Sequence, residues 1–224
     1  FSKEKMHFQN PGPPLSRGPP GFPSPPPACI TPPSNPSSYM IVSALSGVKN
    51  IPGDYPNLTG AAGLFADING KSLSGNLTVN IVGNTTEDGL NALNEINVEH
   101  PSFQLTIVNS GSYHKISGSY TGALIRFNGA DNVTINGKGK LWFYNANLYT
   151  SITLQMSGGC SGNTIDSCSF STGKNSYTYN TAINLTGLLT NNVFRYDSIY
   201  CAHIGINLNS EYWGNGSGNA FIGN

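Results

Sequence analysis

The sequence predicts an all-β solenoid, a parallel β-helix with a short capping helix and an extended arm at its N-terminal side. Three observations predict it. A strand–turn–strand unit recurs along the second half of the chain, Asn makes up about one residue in eight, and twelve of the fifteen prolines crowd into residues 1–36. Recurrence at a period of 20–50 residues is the mark of a repeat architecture. Asn, Ser, Thr and Gly supply turns and sheet surfaces and disfavour helix interiors.

The repeat is counted from its apolar pairs. An Ile-x-(Phe/Leu) unit stands at Ile125–Phe127, Ile152–Leu154, Ile183–Leu185 and Ile206–Leu208, in steps of 27, 31 and 23 residues. Each is followed by an Asx residue with an apolar residue two places on: Asp131/Val133, Asn163/Ile165, Asn192/Phe194 and Asn219/Phe221. A fixed order of strands with variable spacing is what loop insertions on individual coils produce. Each inward side chain of a coil stabilises by roughly 1.5–3 kcal/mol, whereas ordering every residue costs about 1–2 kcal/mol of backbone entropy. A lone coil therefore does not fold, and coils stacked about 4.8 Å apart share a core and backbone ladders. Aligned Asx residues are expected to form an amide ladder. These coils are assigned to residues 76–224.

Upstream, residues 1–37 form the arm. Proline removes the amide donor and fixes φ, so this segment reads as extended polyproline II. "GPPGFP" lacks a glycine at every third position, which excludes a collagen triple helix. The arm reads as a linker, as a ligand for an aromatic groove on another protein, or as a strip along the following domain. Residues 38–75 read as a capping segment. "SSYMIVSAL" opens a first strand, and "YPNLTGAAGLFADINGKSL" predicts a helix of about three turns. Asn57 or Thr59 would cap it, Leu58, Ala61, Ala62, Phe65 and Ile68 would form its apolar positions, and Gly70 would stop it. Leu77, Val79 and Ile81 alternate as a strand. "TTEDGLNALNEI" reads as a short helix or loop, and "SFQLTIVNSGSYHKISGS" as strand.

Composition limits function. Only 10% of residues are charged and the formal net charge is zero, which argues against a nucleic-acid or anionic-membrane surface. No run approaches the roughly 18 apolar residues that span a bilayer. Cys29, Cys160, Cys168 and Cys201 form no CxxC pair and have no His at zinc-ligand spacing, so they read as buried or free thiols. A disulfide from Cys160 to Cys168 or Cys201 is the alternative. No metal or other cofactor is expected.

Two groups of side chains carry candidate chemistry. "KLWFYNANLY" and "SEYWGNG" hold Trp142, Tyr144, Tyr212 and Trp213, whose rings can stack on sugars while their polar tips bond hydroxyls. These four residues are the expected glycan-binding set. Asp131, Asp166 and Asp197 fall near one coil edge, where two carboxylates about 5–10 Å apart would suit a glycosidase. Asp131 reads as a turn residue, and Asp166 and Asp197 as solvated strand positions. No catalytic residue is therefore expected. Six Asn-x-Ser/Thr sequons, at Asn57, Asn76, Asn84, Asn132, Asn184 and Asn215, are what chance gives in so Asn- and Thr-rich a chain.

With these units, "LIRFNGADNVTING" and "SGNTIDSCSF" following "GDYPNLTGAAGLFADINGKSLSGNLTVNIVGN", the chain resembles right-handed parallel β-helix proteins of the pectin-lyase-like superfamily. More narrowly it resembles large surface proteins of Bacteroidota over residues 51–224. The resemblance implies export to the cell surface, often by the type IX secretion route, with surface glycans and secretion-machinery proteins as partners. It implies an adhesive or spacer role for a secreted or cell-surface bacterial protein. "DSI" resembles the O-glycosylation motif of those bacteria, with Ser198 as acceptor. Hydrolases of the superfamily carry Asn-Thr-Asp, Asp-Asp and Gly-His-Gly signatures that this sequence lacks, and "CAHIGI" offers only His203. Its lyases need calcium carboxylates and a catalytic Arg or Lys. Arg126 and Arg195 have no acidic cluster beside them in the sequence. The alternative function is a polysaccharide lyase or glycoside hydrolase with catalytic residues partly outside this segment. Because "GNAFIGN" stops within a coil, the expected partner at that end is further chain or a docking protein.

Overall fold

The computed structural model describes residues 44–174, 179–200, 203–209 and 216–224. The proline-rich arm, Cys29, Cys201, Tyr212, Trp213 and Asn215 lie outside them. The described residues form a parallel β-solenoid of about six turns with almost no helix. Among them, no helix is long and apolar enough to cross a membrane.

Each full turn presents three faces. The first stacks Ala44–Ile51, Ser72–Ile81, Leu105–Asn109, the beginnings of Val133–Asn145 and Thr164–Thr172, then Val193–Arg195 and Ala220–Ile222. The second stacks Thr85–Glu87, His114–Gly118, the ends of the same two long strands, and Ser198–Ile199. The third stacks Leu93–Asn94, Gly122–Asn128, Ser151–Ser157, Thr181–Thr186 and Ile204–Asn209. Pairing is parallel throughout these ladders.

The long strands turn the corner between the first two faces without breaking. Ser167 at φ 55° and Lys138 at φ 51° take the left-handed conformation there, and the register slips between Asp166 and Cys168. One residue in that region re-aims the chain while ladder bonds continue on both sides. Close stacking restricts the corner: a Cβ on Gly137 would stand 2.4 Å from the Ser167 carbonyl oxygen.

Period-two alternation then sorts side chains into inward columns. Val79, Ile107, Ile135, Ile165 and Phe194 occupy successive rungs of the first face, and all are at most 1% exposed. Ile116, Phe143 and Phe170 form the column of the second face, with the two Phe rings stacked 5.1 Å apart. On the third face the column is Ile125, Leu154, Ile183 and Ile206. The sequence count placed Ile152 in this column. Ile152 instead pairs with Ala123 and Thr181, two residues away in the same sheet. In the true register Ile125, Leu154 and Ile183 are evenly spaced. The apparent unit is shifted by one side-chain period because "ITLQM" carries apolar residues at three alternating positions, of which Leu154 and Met156 are the buried pair.

The expected amide ladder is present. Asn163 Nδ2 donates to Asn192 Oδ1 at 2.9 Å, and Asn192 Nδ2 donates to Asn219 Oδ1 at 3.0 Å. Each Oδ1 also accepts the backbone N–H one coil below: Val133 N to Asn163, Asn163 N to Asn192, and Asn192 N to Asn219. The amides satisfy turn carbonyls as well, at Ala130, Cys160 and Leu189. Asp131 is outside this column, since Val133 and not Asp131 takes the equivalent rung.

Two expectations upstream are corrected. The helix is one short piece, Leu64–Asn69, with Gly63 at its N-terminus and Gly70 at its end. Asn57 and Thr59 do not cap it. Asn57 Nδ2 donates to the Thr86 carbonyl, and Thr59 Oγ1 donates to the Glu87 carboxylate at 2.8 Å. Glu87 is buried and also accepts from Leu58 N, Thr59 N and Thr85 Oγ1. This carboxylate outcompetes helical bonding by offering the loop's donors a charged acceptor. Leu58, Phe65 and Ile68 are buried as expected, whereas Ala61 and Ala62 are exposed. "TTEDGLNALNEI" holds no helix and contributes the strands Thr85–Glu87 and Leu93–Asn94. Cys160 and Cys168 are buried free thiols, not joined to each other.

Truncating Asn192 to Ala would leave the Asn163 backbone N–H and one Nδ2 hydrogen without their acceptor, while the Cys160 carbonyl keeps the Thr190 N–H. At about 1–3 kcal/mol for each buried polar group left without a partner, a destabilisation of at least about 2 kcal/mol is expected in chemical denaturation. Leu189→Ala, which removes packing and no ladder bond, is the reference variant.

Candidate functional site

Outward positions of the second face converge on an aromatic patch. Lys115, Trp142, Ser169 and Ser198 share one outward column, and Ser117, Tyr144 and Ser171 share the next. Tyr200 follows Ser198 by two residues and is anchored by its N–H to the Phe170 carbonyl at 3.1 Å. Strand alternation therefore places Trp142, Tyr144 and Lys115 on the outer surface, because Leu141 and Phe143 fill the core.

The rings meet above the small serines of the intervening coil. Trp142 and Tyr144 centroids are 5.2 Å apart, and those of Trp142 and Tyr200 are 6.2 Å apart with near-parallel planes. Trp142 Nε1–H donates to Ser171 Oγ at 2.7 Å, which fixes the indole across the neighbouring coil. The Lys115 ammonium lies over both rings, 4.2 Å from the Trp142 centroid and 4.3 Å from that of Tyr144. Its backbone N–H donates to Asn84 Oδ1, which holds the start of that strand. Tyr200 is 40% exposed, and Trp142, Tyr144 and Lys115 are half-buried.

Of the four expected glycan-binding residues, the structure brings Trp142 and Tyr144 together, while Tyr212 and Trp213 lie outside the described residues. Sequence reasoning missed Lys115 and Tyr200. The signal was available in the repeat, since "HKIS" occupies the same rung as "LWFY". Ser198 is exposed on this face.

The aspartates have structural partners. Asp131 Oδ1 accepts the Ser161 N–H at 2.6 Å and ties two coils. Asp166 is buried against Arg195, whose Nε and Nη2 reach Oδ2 at 3.0 and 2.8 Å, so it is not a solvated strand position. Arg195 therefore does have an acidic partner. Arg126 donates to the Gly89 and Leu90 carbonyls. His203 lies edge-on to Tyr179.

Asp197 also departs from the expectation of solvation, being 3% exposed. Its Oδ1 accepts the Cys168 N–H at 2.8 Å, while Oδ2 is buried with no hydrogen-bond partner among the described residues. One coil on, Asn224 repeats the pattern as an amide, accepting Asp197 N–H and donating to the Phe194 carbonyl. Burial raises the Asp197 carboxyl to about 7, the Cys168 N–H pulls the other way, and the nearby Asp166 charge adds to the rise. Neither its burial nor its partners give a substrate access to it.

No family model matches this chain, and neither a curated protein nor a solved structure matches it.

The raised Asp197 pKa fixes a pH dependence. The folded state holds the proton more tightly than the unfolded chain, so this group's stabilisation is complete below the ordinary carboxylate range and is lost as pH rises to about 7. The expected result is a melting temperature that falls between about pH 4 and pH 7. Asp197→Asn should remove that slope and raise the midpoint at neutral pH by several degrees.

Proposed function

We propose that this chain is a non-enzymatic, adhesive section of a secreted or cell-surface bacterial protein. In this reading the solenoid is a right-handed β-helix spacer, and the outer patch of its second face binds a glycan. One observation carries the reading: Trp142, Tyr144 and Tyr200, from two different coils, converge on one open surface. Rings in contact on a rigid sheet offer area at little entropic cost on binding. Export is supported by the low charge and the Asn- and Thr-rich surface, together with the resemblance to Bacteroidota surface proteins. Ser198 is the proposed O-glycan acceptor, and its exposure is compatible with that role. The hydrolase or lyase alternative gains no support from Asp131 or Asp166, which are spent on contacts within the solenoid, or from Asp197, which is buried.

Immobilised-glycan screening tests the reading. The wild-type chain should retain a subset of glycans, and Trp142→Ala and Tyr144→Ala should each weaken retention about tenfold, the equivalent of about 1.4 kcal/mol. Unchanged retention in both variants, with thermal midpoints near wild type, would remove the patch as the binding site.

A further inference from the structure

We propose that the aromatic patch selects anionic glycans, those carrying uronate carboxylates or sulfate esters, and that Lys115 is the selecting residue. The proposal rests on the glycan-binding reading and adds the ligand class to it.

The position of the ammonium argues for it. Lys115 Nζ covers the faces of Trp142 and Tyr144, the surfaces on which a sugar would stack. A ligand has to move this side chain off the rings. A cation–π contact on a half-buried surface is weak enough to be displaced, but something must replace it. A neutral sugar takes the ring faces and returns no charge partner. A sugar bearing an anion gives the displaced ammonium an ion pair at the rim of the same ring. Lys suits this task because its compact charge sits on a flexible stem.

Local charge points the same way. No carboxylate lies within ion-pair distance of Lys115 among the described residues. The outward positions around it, Ser117, Trp142, Tyr144, Ser169, Ser171 and Ser198, include no acid. Lys138 and Lys140 are exposed just before Trp142 in the same strand. Lys115 thus lies over the rings, and two more lysines precede Trp142 in its strand, on a chain whose net charge is zero. Asp166, on the coil after Trp142, is paired with Arg195 on the coil beyond.

The test uses matched polymers that differ only in charge: dextran against dextran sulfate, and alginate against its methyl ester. Wild type, Lys115→Met, Lys115→Arg and Trp142→Ala are compared at low and high salt. The wild type is expected to retain one or both charged polymers at least fivefold better than the neutral counterparts, with the preference reduced at high salt. Which polymer is retained separates the sulfate from the uronate source. Lys115→Met should erase the preference while leaving or improving neutral binding, and Lys115→Arg should keep it. Equal retention of charged and neutral polymers by the wild type would overturn the proposal and leave the glycan-binding reading standing. A charge preference unaltered in Lys115→Met would also overturn it. Retention of both kinds unchanged in Trp142→Ala would overturn the patch reading and the proposal together.

Discussion

The parallel backbone ladder between successive coils is the constraint on which the rest of this structure depends. Each coil runs once around three faces and supplies only a thin slice of core. Its edges are rows of unpaired amides and carbonyls until another coil covers them. Pairing therefore does two things at once: it satisfies the backbone and aligns like side chains into columns. The Val79–Phe194 column and the Asn163–Asn219 ladder are products of the same register. Asparagine suits the ladder because its amide donates and accepts in the stacking direction, so each rung completes the next.

The same register makes the surface. Once Leu141 and Phe143 point into the core, Trp142 and Tyr144 must point out, and Lys115 must lie one rung below Trp142. The stacking that closes the core also assembles the patch, since Lys115 and Tyr200 reach Trp142 only across coils. It sits on a scaffold whose spacing is set by hydrogen bonds, so its rings lose little freedom when a ligand arrives. Asp197 shows the opposite use of a stacked position. It occupies a place that Asn224 fills with an amide on the next coil, and the missing donor leaves a buried oxygen unpaired.

Much of this was legible in the sequence, because period-two alternation and a repeated Asx–turn unit are local signals. Leu77, Val79 and Ile81 read as a strand and are fully buried in one. The amide ladder was legible from the recurring Asx, and Asn163, Asn192 and Asn219 form it, whereas Asp131, read as part of the same series, stands outside the column. What was misread had non-local causes. The position of Ile152 was misread because its strand offers three alternating apolar residues, and only pairing with the neighbouring coils shows that Leu154 takes the rung of Ile125 and Ile183. The helix was overextended because a carboxylate 28 to 29 residues away, Glu87, takes the donors of Leu58 and Thr59. Asp166 and Asp197 were read as solvated because their partners belong to other coils. Tyr200 and Lys115 joined the patch only once the rungs were aligned.

Cooperative stacking is tested most directly by amide hydrogen exchange across the first face, in the wild type and in Ile165→Ala. A core truncation of this kind costs about 2–5 kcal/mol. If coils are stable only as a stack, protection should fall by a similar factor at Ile135 and Phe194, one coil to either side, as at residue 165 itself. A loss of protection confined to the mutated coil, with its neighbours unchanged, would contradict the account.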